Sequence, residues 1–309
     1  MRILVTGASG FVGRALCPAL RVAGHNVLRA VRRDDGQPDT VISGDLGPSC
    51  EWLDHVECPD VIVHLAARVH QMNERPEDAE RLHQQANTQG TLALARRARE
   101  RGVRRFVFVS SVKVNGEGGP RPYRADDVPQ PADAYARSKA DAEAGLMQIA
   151  AQGGMEVVII RPPLVYGPGV GGNFGSLLKW VRRGYPLPLA SVTGNRRSFV
   201  AIDNLVSLVV LCIDHPSVAG AIWMVSDDQD ESTAGLLQRM AAALGRPARL
   251  WRLSPALLKL IAAICGKQAA MSRLCGDLSV DVSATRRALG WTPLVSLDEG
   301  LRRCGRDTT

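Results

Sequence analysis

Tyr135 and Lys139 stand four residues apart in Tyr135-Ala136-Arg137-Ser138-Lys139, so on a helix both side chains lie on one face. An ammonium beside a phenol favours the phenolate, and such a pair can move a proton on or off a carbinol oxygen. Far upstream, Thr6-Gly7-Ala8-Ser9-Gly10-Phe11-Val12-Gly13 lies between a strand-like and a helix-like run. In that context Gly7 permits a tight turn, Gly10 lets a pyrophosphate approach the backbone, and Gly13 lets helix pack on strand. Backbone N–H groups at the helix start, around Ser9, Phe11 and Val12, would face the phosphates. The two features together point to hydride transfer at a C–OH/C=O centre. Ser110 and Ser111 follow the apolar run Arg105-Phe106-Val107-Phe108-Val109, and Ser111 can donate to the same substrate oxygen as Tyr135.

These residues need a scaffold. Short β-branched runs at Ile3 to Val5, Val27 to Val31, Val61 to Leu65, Arg105 to Ser110 and Val157 to Ile160 alternate with helical patterns such as Gly90 to Arg101. That alternation predicts right-handed βαβ crossovers and an α/β fold with a doubly wound parallel sheet of Rossmann type. From Arg161-Pro162-Pro163 onward Gly and Pro crowd the chain and the alternation breaks. We therefore expect a dinucleotide-binding domain over 1–165, with a returning strand near 221–226, and an interleaved, mostly helical substrate lobe over 166–309.

The chain has 309 residues, of which 45% are hydrophobic, enough for a substantial core and unlike a disordered or fibrous composition. Seven cysteines without a CxxC pair suggest neither a disulfide framework nor a zinc site, so no metal is expected. The first strand candidate begins right after Met1, which leaves no room for a signal segment and implies a cytoplasmic protein. Net charge is +7, but the basic residues are scattered and no recognition motif accompanies them, so nucleic acid is not an expected partner. The apolar run Pro255 to Cys265 is too short to span a bilayer; a lobe-packing helix is favoured over surface membrane attachment, and no stable insertion is expected.

Cofactor choice is written after the second strand. The place where an acid would take both ribose hydroxyls of NAD holds Val31, and Arg32 and Arg33 follow. A guanidinium there suits a 2′-phosphate, which favours NADP (as NADPH) while leaving NAD possible if Asp34 or Asp35 takes the ribose instead. Asp45, after Ile42-Ser43-Gly44, sits where a third strand would end and could accept from the adenine amino group.

At this level the chain resembles the extended short-chain dehydrogenase/reductases of the NAD-dependent epimerase/dehydratase family, whose members mostly act on nucleotide-activated sugars. The likeness runs nearly end to end through the glycine turn, Gly44-Asp45-Leu46, His64-Leu65-Ala66-Ala67, Asn87-Thr88-Gln89-Gly90-Thr91, Ser110-Ser111, the Tyr135/Lys139 helix, Arg161-Pro162, Val165-Tyr166-Gly167-Pro168-Gly169, Arg197-Ser198-Phe199-Val200 and Leu289-Gly290-Trp291-Thr292-Pro293. The resemblance implies Ser111, Tyr135 and Lys139 as catalytic residues, with Lys139 also holding the nicotinamide ribose. It places Leu46, Leu65, Ala66, Ala67, Asn87 and Pro162 beside the cofactor. It also implies substrate contacts from Arg68, Ser111, Lys113, Asn173 and Arg197, the last two at the diphosphate of a UDP-linked sugar, with Arg273 a further candidate, and a homodimer.

Departures from the family narrow the reaction. Dehydratases of the family carry an acidic pair after the catalytic serine or threonine, where this chain has Val112 and Lys113, so dehydration is not expected. The stretches Ala67 to Glu74 and Ser111-Val112-Lys113-Val114-Asn115-Gly116 resemble the branch that reduces UDP-4-keto-6-deoxy-N-acetylhexosamines to a quinovosamine-type product. Reduction at carbon 4 is thus the leading expectation, and a UDP-hexose 4-epimerase with tightly bound NAD is the alternative. A non-catalytic dinucleotide sensor would have no use for Tyr135, Lys139 and Ser111 together.

Overall fold

The computed structural model describes residues 1–69, 76–264, 266 and 268–306. The five β-branched runs become β1 (Arg2–Thr6), β2 (Asn26–Val31), β4 (Val61–His64), β5 (Arg105–Val109) and β6 (Glu156–Arg161), with β3 (Thr40–Ile42) and β9 (Ala221–Met224) at the edges. They form one seven-stranded sheet in the order β3-β2-β1-β4-β5-β6-β9, each neighbouring pair parallel. Side chains alternate between its faces, and both faces are covered, which is why the strands read as continuous apolar runs. Ile3, Val5, Val63 and Val107 pack beneath Leu16 and Leu20 of α1 (Phe11–Val22) and Leu205 and Leu208 of α6 (Ile202–Asp214). Leu4, Ile62, Phe106 and Phe108 face Leu94 and Ala98 of α3 (Gly90–Glu100) and Ala142 and Leu146 of α4 (Ala134–Ala151). The expected doubly wound Rossmann-type sheet is present.

Strand order reverses between β1 and β4, because the chain leaves the β3 edge and returns on the other side of β1. A crevice therefore opens at the carboxyl ends of those two strands, where open α/β sheets take their ligands. Beyond β6 a second pair, β7 (Leu164–Tyr166) and β8 (Phe199–Ala201), runs outside the main sheet. Around it a separate apolar cluster joins Tyr166, Phe174, Leu178 and Val181 to Leu237, Met240 and Leu301. These come from β7, α5 (Gly172–Arg183), α7 (Thr233–Ala243) and α11 (Leu297–Arg306); α2 (Pro76–His83) precedes α3, and α10 (Ser283–Leu289) precedes α11. Tyr166 donates its hydroxyl to Asp227 Oδ2 at 2.7 Å, while Asp227 Oδ1 accepts from Ala201 N and Asn204 Nδ2, both at 2.7 Å. This buried knot ties β7, β8 and the turn after β9 together. Among the described residues no helix is long and apolar enough to cross a membrane.

Candidate active site

The glycine turn closes the first crossover. Gly7 has φ +67, and a Cβ added there would lie 2.8 Å from Ala66 N, so the turn and the close passage of the segment after β4 both require glycine. At Gly13 an added Cβ would come within 2.4 Å of Gly7 O, a contact that would force α1 off the turn. Gly10 is the N-cap of α1 and provides no side-chain cap, and no acidic residue occupies the first turn. Exposed Ser9 and partly exposed Phe11 and Val12 complete this turn. A helix N-terminus with uncapped N–H groups, no local carboxylate, and a position at the β1/β4 reversal fits the pyrophosphate of a dinucleotide.

The rim after β2 is more specific than its sequence. Arg29, nearly buried on β2, holds Asp35 in a two-bonded ion pair at 2.5 and 3.0 Å, and its guanidinium keeps the Asp35 carboxyl below the usual range. Asp34 turns back to accept from Gly36 N at 2.9 Å. Both carboxylates that stood as alternatives for a ribose are thus engaged locally. Arg32 and Arg33 remain exposed, with Arg32 3.7 Å from exposed Asp45, and Leu46 lies half-buried beside it.

Tyr135 opens α4, whose N-cap is Asp133; the Asp133 carboxylate accepts from Ala136 N at 2.7 Å. Lys139, one turn on and almost fully buried, donates to Val109 O at 2.9 Å and lies 4.2 Å from the centre of the Phe108 ring. Helix α4 and the end of β5 are therefore pinned to each other by the lysine. Ser111 caps the short helical turn Val112–Val114, its Oγ accepting from Lys113 N at 3.2 Å, which leaves the hydroxyl proton to donate elsewhere. Pro162, buried after β6, receives Val112 N on its carbonyl at 2.9 Å and so backs the same turn.

One expectation fails here. Lys139 does not lower the Tyr135 pKa in this structure: burial, and secondarily the Asp133 carboxylate, push the phenol up to about 12. Burial pushes Lys139 itself down to about 7, only partly offset by Glu143. Taking the phenolate out of water costs more than the helix geometry alone suggested, and the Asp133 carboxylate adds to that cost.

The depressed Lys139 pKa has a stability consequence. Between about pH 7 and 10.5 the unfolded chain carries a proton on this lysine that the folded one sheds, so the group's contribution to stability rises with pH through that window, and its penalty is full below it. Lys139→Met is expected to flatten the pH dependence of the denaturant midpoint between those limits. A midpoint as steep as wild type would show that Lys139 stays charged in the fold.

Asn87 lies on the π-helical stretch Gln84–Gln89, where its side chain reads both backbone atoms of Arg68. Oδ1 accepts from Arg68 N at 2.7 Å, and Nδ2 donates to Arg68 O at 3.0 Å and to Ser138 Oγ at 3.0 Å. Ser138 in turn donates to Tyr135 O at 2.8 Å. The segment Leu65-Ala66-Ala67-Arg68 is thereby locked to the helix that carries Tyr135. His70 to Glu74, part of the stretch that resembles the reductase branch, lie outside the described residues. Beneath the crevice His64 bridges Thr6 Oγ1 at 2.7 Å and Thr91 Oγ1 at 3.0 Å; burial, with Lys139 adding to it, drives its pKa down to about 3, so the ring is neutral.

The remaining substrate candidates are less converged. Asn173 is exposed on the first turn of α5. Arg197 precedes β8 and donates to Gly276 O at 3.0 Å. Arg273 lies in the last turn of α9 (Gln268–Cys275). Lys113 pairs with Asp133 at 2.5 Å and Glu117 at 3.0 Å. Burial works against the Asp133 anion, yet the Lys113 ammonium and the Ala136 N–H hold its pKa below normal. Sequence reasoning missed this pair, although an Asp two residues before a helical Tyr carries an N-cap signal. It missed the Arg29–Asp35 pair as well, because a basic residue inside a strand gives no sign of its partner.

Residues 3–225 match the sequence profile of the NAD dependent epimerase/dehydratase family. A UDP-glucose 4-epimerase of Vibrio cholerae is 43% identical over 310 residues, spanning 97% of this chain and 93% of that protein. A 3-diazoavenalumate denitrifying reductase of a Streptomyces species is 32% identical over 308 residues, spanning 95% and 96%. MoeE5, solved in complex with UDP-glucuronic acid and NAD, superposes with a TM-score of 0.79 at 27% identity, covering 100% of this chain and 99% of that one. Similarity that is continuous over sheet and lobe alike leaves one assignment: the chain belongs to the NAD-dependent epimerase/dehydratase family of extended short-chain dehydrogenase/reductases, enzymes that include nucleotide-sugar epimerases and reductases.

Proposed function

We propose that this enzyme reduces carbon 4 of a UDP-4-keto sugar, of the 6-deoxy-N-acetylhexosamine class, with NADPH. The observation that carries the reading is the rim after β2, where Arg29 draws Asp35 away and leaves Arg32 and Arg33 exposed for a 2′-phosphate. When bound, the nicotinamide supplies the hydride. Gly10 and the start of α1 bind the pyrophosphate, Asp45 and Leu46 border the adenine, and Leu65, Ala66 and Pro162 flank the nicotinamide half. Tyr135, held protonated at neutral pH by its surroundings, gives its proton to the emerging alkoxide. Ser111 donates a hydrogen bond to the same oxygen, and Lys139 orients the ribose and relays the replacement proton. The lobe that meets the substrate is drawn from residues 166–309 without α6 and β9, which return to the main sheet although α6 was expected in the lobe; Asn173 and Arg197 lie at the diphosphate, and Arg68 and Lys113 nearer the sugar.

A UDP-hexose 4-epimerase is the second reading, favoured by the 43% identical relative of that name. The two separate in one experiment. With a UDP-4-keto sugar the reductase consumes NADPH in proportion to ketone lost; an epimerase interconverts UDP-glucose and UDP-galactose with no net change in cofactor. NADPH consumption with the keto sugar and no hexose interconversion is the expected result, and the reverse pattern would replace the first reading by the second.

A further inference from the structure

Helix α8 (Pro255–Ile264) packs only one side onto the lobe. Leu258 is buried in the second core and Ala262 is buried, whereas Leu257, Leu260, Ile261 and Ile264 are exposed, Leu260 at 57% and Ile264 at 78%. Spacings of three, four and seven place these four on one helical face. Three large aromatic residues are exposed on neighbouring segments of the lobe: Trp180 in the last turn of α5, Tyr185 just after it, and Trp251 ahead of α8. The backbone joins those segments, since Leu187 N donates to Arg249 O at 2.9 Å and Trp251 N to Leu187 O at 3.0 Å. Leu187 and Leu250 pair and point inward, so alternation turns Arg249 and Trp251 outward.

The charge of the lobe says what would cover this face. Neither 157–202 nor 232–276 contains a single Asp or Glu, whereas Lys179, Arg183, Arg246, Arg249 and Arg252 are exposed within them. A protein partner of mixed charge would leave such a one-signed surface largely unmatched. An anionic bilayer matches it: leucines and isoleucines enter the acyl boundary, Trp and Tyr sit at headgroup level, and Lys and Arg meet the phosphates. We propose that this face docks the enzyme peripherally on an anionic phospholipid surface, with α8 lying in the plane of the interface. The inference does not depend on which sugar reaction the crevice performs.

The full chain is mixed with vesicles of phosphatidylcholine alone or with about one third phosphatidylglycerol, at low and high salt, and sedimented. We expect co-sedimentation with the anionic vesicles only, weakened by salt. Arg249→Glu/Arg252→Glu should lower the partition coefficient about tenfold or more, given roughly fivefold per basic residue at such a surface. Leu260→Glu/Ile264→Glu should remove binding, and both variants should keep the wild-type circular dichroism and melting temperature, since only exposed side chains change. Equal recovery in the supernatant with both vesicle types would overturn the proposal. So would binding that neither variant weakens, or a wild-type dimer in sedimentation velocity that Leu260→Glu/Ile264→Glu converts to monomer, which would assign the face to a second copy.

Discussion

Tyr135→Phe is expected to leave the protein folded and to reduce turnover by about 10²- to 10⁴-fold, the range associated with losing a positioned acid or base. The ring itself is half-buried and meets His83 edge-on at 5.9 Å between centroids, contacts that phenylalanine retains. Only the hydroxyl is lost, and with it the proton that the proposed mechanism delivers to the alkoxide. Because the surroundings hold this phenol at about 12, the wild type should supply that proton across the neutral range, and the variant should depend on solvent instead. Single-turnover rates with saturating cofactor are the proper measurement, since they isolate the chemical step from release. Turnover within a few-fold of wild type would remove Tyr135 from the reaction, and the proposed mechanism with it.

Glu143→Ala is expected to have the largest effect on stability. Glu143, on α4 one turn beyond Lys139, meets Arg161 at the end of β6 through contacts of 2.5, 3.0 and 3.1 Å, and both side chains are almost wholly buried. Arg161 Nη1 also donates to Asn115 Oδ1 at 3.0 Å, and Asn115 Nδ2 donates to Arg124 O at 2.9 Å, so the pair anchors the loop between β5 and α4. Removing the carboxylate strands a guanidinium out of water, a loss of about 3–5 kcal/mol. That is a large part of the roughly 5–15 kcal/mol that holds an ordinary domain together. Urea titration should show the midpoint fall, and Glu143→Leu/Arg161→Met should recover much of it because no unpaired charge remains. A loss under about 1 kcal/mol in Glu143→Ala would mean that water reaches Arg161.

Much of this architecture could be read along the chain, and for a local reason. A parallel sheet covered on both faces demands largely apolar runs, so β1, β2, β4, β5 and β6 announce themselves within four to six residues each. The glycine turn is legible because Gly7 and Gly13 answer steric demands made by atoms of the same crossover and the strand beside it. Strand ends differ by a residue: Leu65 and Ser110, expected in strands, lie one residue past β4 and β5, each still donating its backbone N–H to the neighbouring strand, to Thr6 O at 3.3 Å and Ile160 O at 2.8 Å.

Properties that depend on which distant groups meet were not legible. Helical spacing put Tyr135 and Lys139 on one face, but the direction of the phenol's shift followed from burial and from Asp133, and burial is a property of the assembled core. Arg32 and Arg33 were visible as charges; that Asp35 would be drawn off by Arg29 required β2 and the following turn in place. The same holds for α8. Its apolar run was plain, yet only packing separated Leu258 and Ala262, which the lobe covers, from Leu260 and Ile264, which it leaves bare. Local sterics and periodicity act over a few residues and so survive in the linear order; desolvation and ion pairing are set by neighbours that folding alone brings near.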